Sequence, residues 1–242
     1  MHTEHAATAD GAAARLALCR RLVQVLGGRY SAELGIDLDG GDGEVERWFL
    51  AATLFGARIS AGVAERTFGV LADAGLVRIA QARHLPSAEL IGLLDAGGYG
   101  RYDFRTATRL EQLSEMIDER YSGQVAELGR RFASYPELCS ALDALPGWGS
   151  VTIGLFLREL RGVWRGAQPP LDQRAAAAAI HLGLLASGPA RSPLHRVAAL
   201  AAAAGLDARD LEGGLVRLAL AHRGTMESCP GGGTCAVLAQ AA

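Results

Sequence analysis

The chain has no lysine; all 24 of its basic residues are arginine. That excludes mechanisms built on a lysine amine, Schiff-base chemistry first among them. The arginine preference is partly an effect of genome composition and assigns no function by itself. No segment approaches ~18 uninterrupted apolar residues, so no membrane span is expected. The alanine-rich run 175–186 contains His181 and is short enough to be a buried helix. Proline is limited to 8 residues of 242, and strand-type alternation is scarce. The four cysteines, Cys19, Cys139, Cys229 and Cys235, do not resemble a disulfide framework. The opening "MHTEHAATAD" lacks the basic start and apolar core of a secretory signal, so a cytoplasmic location is expected. The net charge of −2 is not the basic balance of a non-specific nucleic-acid binder. A local patch combined with helix N-termini can still hold DNA.

What the chain does have is alanine, leucine and helical spacing, with 50% hydrophobic residues. The expected fold class is all-α, and the length suits one large domain or two small ones. A frayed tail is expected over 1–9 and a helix over about 10–26, ending at Gly27-Gly28. An acidic, glycine-rich loop ("GIDLDGGDGEVE") precedes "RWFLAATLFGA", the most continuously apolar helix and the candidate centre of the core. Ser60 is placed to cap the next helix. A short amphipathic helix, an aromatic and arginine-rich loop and a long helix follow. Helices are also expected near 192–205 and 207–222, with an irregular end. There is no internal repeat.

The stretch "LPGWGSVTIGLFLREL", 145–160, is the most informative. Leu138, Leu142 and Leu145 share a helical face that Pro146 breaks. Val151, Leu155, Phe156 and Leu160 repeat at helical spacing from Ser150 onward. The reading is helix, tight glycine turn, helix, with backbone N–H groups free at the second helix start. Such a start binds anions. About twenty residues later "PLDQR" places Asp172 at the head of an alanine-rich helix, where it is a natural N-cap.

This order of pieces resembles the helix-hairpin-helix DNA glycosylase superfamily, in its endonuclease III and adenine-glycosylase branch. The family hairpin reads Leu-Pro-Gly-hydrophobic-Gly, a small or polar residue, a variable one, then Thr-Ala. Leu145, Pro146, Gly147, Trp148, Gly149, Ser150 and Thr152 match, and Ile153 replaces the alanine. The likeness spans roughly 45–225, with the hairpin and the aspartate its specific parts. It implies two helical subdomains flanking a DNA-binding cleft. One is a barrel-like domain over 45–165 with the hairpin at about 135–160. The other joins 1–44 to 166–242.

The resemblance implies further roles. The bound anion is a DNA phosphate, with Leu145, Gly147, Trp148, Gly149, Val151 and Thr152 as the DNA-binding hairpin. The backbone carbonyls of Asp143, Leu145 and Trp148 match positions that coordinate a monovalent cation. Asp172 becomes the catalytic carboxylate, a role compatible with capping. Tyr102 and Phe104, with Tyr99, lie where relatives wedge a side chain into the duplex; ordinary loop packing explains them equally well. Ala57, Arg58 and Val151 fall on the base pocket. Small residues at 56 and 57 suggest room for a bulky base, or plain helix packing. Arg158, Arg161, Arg165 and Arg174 make the motif region positive, or form a solvated face.

Two departures matter. Bifunctional relatives carry lysine where Val151 stands, so this chain is expected to be monofunctional, without lysine-dependent lyase activity. Many relatives also hold an iron–sulfur cluster on four C-terminal cysteines. "AHRGTMESCPGGGTC" keeps only Cys229 and Cys235, so no cluster and no other cofactor is expected. The six histidines show no zinc spacing in sequence.

The implied activity is hydrolytic excision of a damaged or modified base from double-stranded DNA by a monomer. The role is either repair or attack on hypermodified bases, such as modified cytosine, in phage DNA. A non-catalytic DNA-structure-binding protein, with Asp172 as a plain cap, is the alternative from another class.

Overall fold

The computed structural model describes residues 2–57, 59–100, 103–188, 192–224 and 226–239. The fold is all-α, with no strand among these residues. The helices are α1 (His2–Leu26), α2 (Tyr30–Glu33), α3 (Asp42–Phe55), α4 (Ala61–Asp73), α5 (Ser87–Gly97), α6 (Asp103–Tyr121) and α7 (Ala126–Arg131). Then come α8 (Tyr135–Asp143), α9 (Ser150–Glu159), α10 (Gln173–His181), α11 (Pro193–Ala204), α12 (Ala208–Ala221) and α13 (Ala236–Ala239). The chain forms two compact units: a central one, Leu34–Pro169, and a terminal one, Met1–Glu33 with Pro170–Ala242. One expectation changes at the start. Helix α1 begins at His2 rather than near residue 10, as the high helix propensity of its alanines allows.

The central unit is built around α3, whose residues Val45, Glu46 and Trp48–Leu54 are all buried. A helix apolar on every face belongs inside a core. Phe49 stacks on Trp148 at 4.4 Å and meets Phe156 edge-on at 5.6 Å. Phe156 in turn meets Trp164 edge-on at 5.5 Å. Each such ring contributes roughly 2–3 kcal/mol by burial alone. Two further buried rings pair their polar atoms: Trp48 Nε1 donates to the Phe156 carbonyl at 3.3 Å, and the Tyr99 hydroxyl donates to the Leu54 carbonyl at 2.7 Å. Gly129 on α7 lies against the Trp164 indole, where a Cβ would sit 2.5 Å from the ring.

The central core also buries a carboxylate. Glu46 Oε1 accepts from the Val125 and Ala126 N–H groups at the start of α7, at 2.5 and 3.4 Å. Its Oε2 is buried without a partner among the described residues. Burial raises the Glu46 pKa above the usual 4.5, against the lowering effect of those two N–H bonds. A raised folded pKa gives stability that is complete below the unfolded value and is lost as pH rises through the folded one. Glu46→Gln keeps an acceptor for α7 and removes the charge. Its thermal midpoint is expected to exceed wild type near pH 7, with the gap closing toward pH 4. Thermal melts across that range check this; a gap that widens on acidification contradicts it.

The terminal unit uses small residues to bring helices close. Ala175, Ala178 and Ala179 of α10 and Val197 and Ala201 of α11 share one core with Leu211 and Leu215 of α12. Gly213 lies in the middle of α12 because the turn after α1 presses on it; a Cβ there would be 2.5 Å from the Gly28 carbonyl oxygen. Gly183, with φ +68°, stops the alanine-rich helix just beyond His181.

Candidate functional site

The turn between α8 and α9 is prepared on both sides. Ser134 and Glu137 form a capping box at the start of α8, with Pro136 in its first turn. Past Asp143 the chain turns through Ala144–Gly149, and Leu145 N–H donates to the Leu142 carbonyl at 3.0 Å. Gly147 adopts φ +77°, a left-handed conformation that disfavours any Cβ. Gly149 is extended, at φ −140°, with open space where a Cβ would go. Helix α9 starts on Gly149 without a side-chain cap. Its first-turn N–H groups therefore sit at an unneutralised, partly positive helix end.

The hairpin side chains divide into anchors and exposed groups. Leu145 and Trp148 are buried. Trp148 packs between Phe49 and Phe156 and donates through Nε1 to Thr53 Oγ1 at 3.3 Å. Its backbone N–H donates to the Leu145 carbonyl at 3.1 Å, so that carbonyl already has one partner. Thr152 is buried and fills the space beside Gly56 at the end of α3. The small residue at 56 thus makes way for Thr152 rather than leaving a void. Val151, by contrast, is 65% exposed on the first turn of α9. Phe104, in the first turn of α6, is 69% exposed. Ala57 is half-buried after α3. Tyr102 and Arg58 lie outside the described residues. The backbone carbonyls of Asp143, Leu145 and Trp148 belong to the end of α8 and the turn.

Arg109 joins this region without a sequence signal. Its guanidinium lies against Gly147, with Cζ 2.7 Å from where a Cβ would stand. Its position on α6, three residues after buried Thr106 and four before buried Leu113, is the one clue a helical wheel offers. Two of the arginines expected to make the region positive are used internally. Arg158 is buried beside Glu159 at 3.7 Å, and Arg161 donates to the Pro169 carbonyl at 2.6 Å. Arg165 and Arg174 are exposed.

Asp172 belongs to the terminal unit and caps α10. Its Oδ1 accepts from the Arg174 N–H at 2.7 Å, while among the described residues nothing donates to Oδ2. Its own N–H donates to Glu212 Oε1 at 3.2 Å. Glu212 is a buried carboxylate on α12, forty residues away in sequence. Its contact pins the backbone from which the Asp172 side chain projects. The result is a half-buried carboxylate at a helix N-terminus, with one oxygen engaged locally and the other available. Such a group can stabilise a developing cation or orient a water molecule.

Cys229 and Cys235 also lie in the terminal unit, together with His181 and His222. These four residues can hold a metal ion, whereas Cys19 is on the core-facing side of α1 and Cys139 is on α8. No family model matches the chain, and no curated protein matches it.

Proposed function

We propose that this chain is a monofunctional DNA glycosylase. It turns a damaged or modified base out of double-stranded DNA, hydrolyses its N-glycosidic bond and leaves an abasic site. The observation that carries the reading is Asp172, a fixed carboxylate with one oxygen available, in a chain whose hairpin resembles the family's. The uncapped start of α9 and the glycine turn hold a DNA phosphate, which positions the strand without reading sequence. Exposed Phe104 fills the stack that the base vacates. The base must leave the duplex before its glycosidic bond can be reached. As that bond breaks, the sugar becomes oxocarbenium-like, and the Asp172 carboxylate stabilises the positive charge. The base leaves with the electron pair of the C–N bond and takes up a proton, while water forms the new bond to the sugar carbon and gives up a proton to solvent. Val151 has no nucleophile, so no covalent sugar adduct forms.

The test is incubation of duplexes carrying deaminated, mismatched, alkylated or hypermodified bases, followed by alkali. Strand breaks that need alkali support the reading, and the base that yields them separates repair from attack on foreign DNA. Binding without release of any base favours a DNA-structure-binding module, in which Asp172 only caps α10. Val151→Lys adds a second check. The position is exposed, so the variant is expected to fold and to gain an amine that borohydride can trap on damaged DNA. Trapping of wild type to the same extent contradicts the hydrolytic mechanism.

A further inference from the structure

We propose that His181, His222, Cys229 and Cys235 form a structural zinc site in the terminal unit. Their ligand atoms all lie within 4.8 Å of one another. Cys235 Sγ is 3.4 Å from His222 Nε2. With metal–sulfur bonds of about 2.3 Å and metal–nitrogen bonds of about 2.0 Å, a tetrahedron has edges of roughly 3.3–3.8 Å. The cluster is therefore close to the size one ion imposes. Two imidazoles and two thiolates are a common structural zinc set.

Further observations point to a ligand. His181 Nε2 is buried with no hydrogen-bond partner among the described residues, a costly arrangement that a metal bond resolves. The Ala236 N–H donates to Cys229 Sγ at 3.3 Å, which stabilises a thiolate. His181 ends α10 and His222 is the C-cap of α12, so both imidazoles sit at the partly negative ends of helices, where a cation is favoured. Gly231, at φ +73°, packs on the Nδ1–Cε1 edge of His181, where a Cβ would be 3.3 Å away. The turn between the cysteines thereby closes over the histidine.

Zinc binding forms two sulfur–metal bonds and releases the two thiol protons to solvent. The two negative charges balance the ion, so no net charge is buried. An iron–sulfur cluster on four thiolates does not fit, because two of the four donors are imidazoles. The ion ties the segment after α12 to the C-terminal ends of α10 and α12.

The test uses the full chain, stripped with a chelator under reducing conditions and titrated with Co²⁺. One equivalent is expected to give the visible bands of tetrahedral cobalt and a thiolate-to-cobalt charge-transfer band. Both should vanish when Zn²⁺ is added. Cys229→Ser and His181→Gln should each lose the one-to-one spectrum. Wild type supplies a readout independent of how the variants fold: one equivalent of Zn²⁺ should protect Cys229 and Cys235 from alkylation and leave Cys139 unchanged. No tetrahedral spectrum from wild type overturns the site. So does a spectrum that survives Cys229→Ser, a Cys229–Cys235 disulfide that persists in reducing buffer, or stoichiometric iron in the purified chain.

Discussion

Asp172→Asn is expected to fold, to bind target DNA as wild type does, and to release base at least about 100-fold more slowly. Asparagine is as good an N-cap as aspartate, and its oxygen can accept the Arg174 N–H that Asp172 Oδ1 holds at 2.7 Å. The contact from the backbone N–H to Glu212 is untouched. Stability should therefore change by no more than about 0.5 kcal/mol. On the proposed mechanism, what disappears is the negative charge that stabilises the sugar as it turns cationic and the base departs. A hundredfold loss corresponds to about 2.7 kcal/mol of transition-state stabilisation, and single removals of preorganised electrostatic groups commonly cost that or more. Single-turnover base release, set beside duplex binding, separates the two effects. Near-normal release removes the catalytic role, whereas parallel loss of release and binding makes the aspartate structural.

The second large effect concerns the two glycines of the turn, which the structure distinguishes. Gly147 is left-handed at φ +77°, so Gly147→Ala should destabilise the central unit by about 1–2 kcal/mol from backbone strain, while the flexible Arg109 side chain beside it can move aside. Gly149 is extended, with space beside it, so Gly149→Val should fold normally. Its branched side chain would stand at the α9 start, where the proposed function places a phosphate. Loss of charge-assisted hydrogen bonds there costs roughly 1.5–3 kcal/mol, on the order of a 10- to 100-fold loss of affinity. The loss should be equal for all duplexes, because backbone contacts carry no base information. Titrations with modified and plain duplexes measure it. A changed base preference, or unchanged affinity for both, shows that the turn does not hold the phosphate.

Local chemistry made part of this architecture readable. Pro146 and the two glycines mark the break between α8 and α9, and the run 48–54, apolar but for Thr53, marks a helix stretch with no solvent face. Asp172 before an alanine run reads as a cap because capping is a matter of adjacent residues. The contacts that finish each site are long-range and left no periodic trace. Glu212 reaches the Asp172 N–H from another helix, and Thr152 fills the space beside Gly56. Arg158 looks like a surface charge in sequence but is buried beside Glu159. The histidines illustrate the limit best. His181 and His222 stand 41 residues apart with no ligand spacing, yet their rings meet edge-to-face at 4.9 Å because α10 and α12 end side by side.

The most direct measurement is mass-spectrometric detection of free base released from a defined modified duplex by wild type, with Asp172→Asn assayed at the same bound fraction. Excision by hydrolysis predicts one free base for each alkali-labile site, an unbroken strand before alkali, and almost none of either from the variant. Equal release by both proteins, or none by wild type from any base in a panel it binds, would contradict Asp172-dependent base excision.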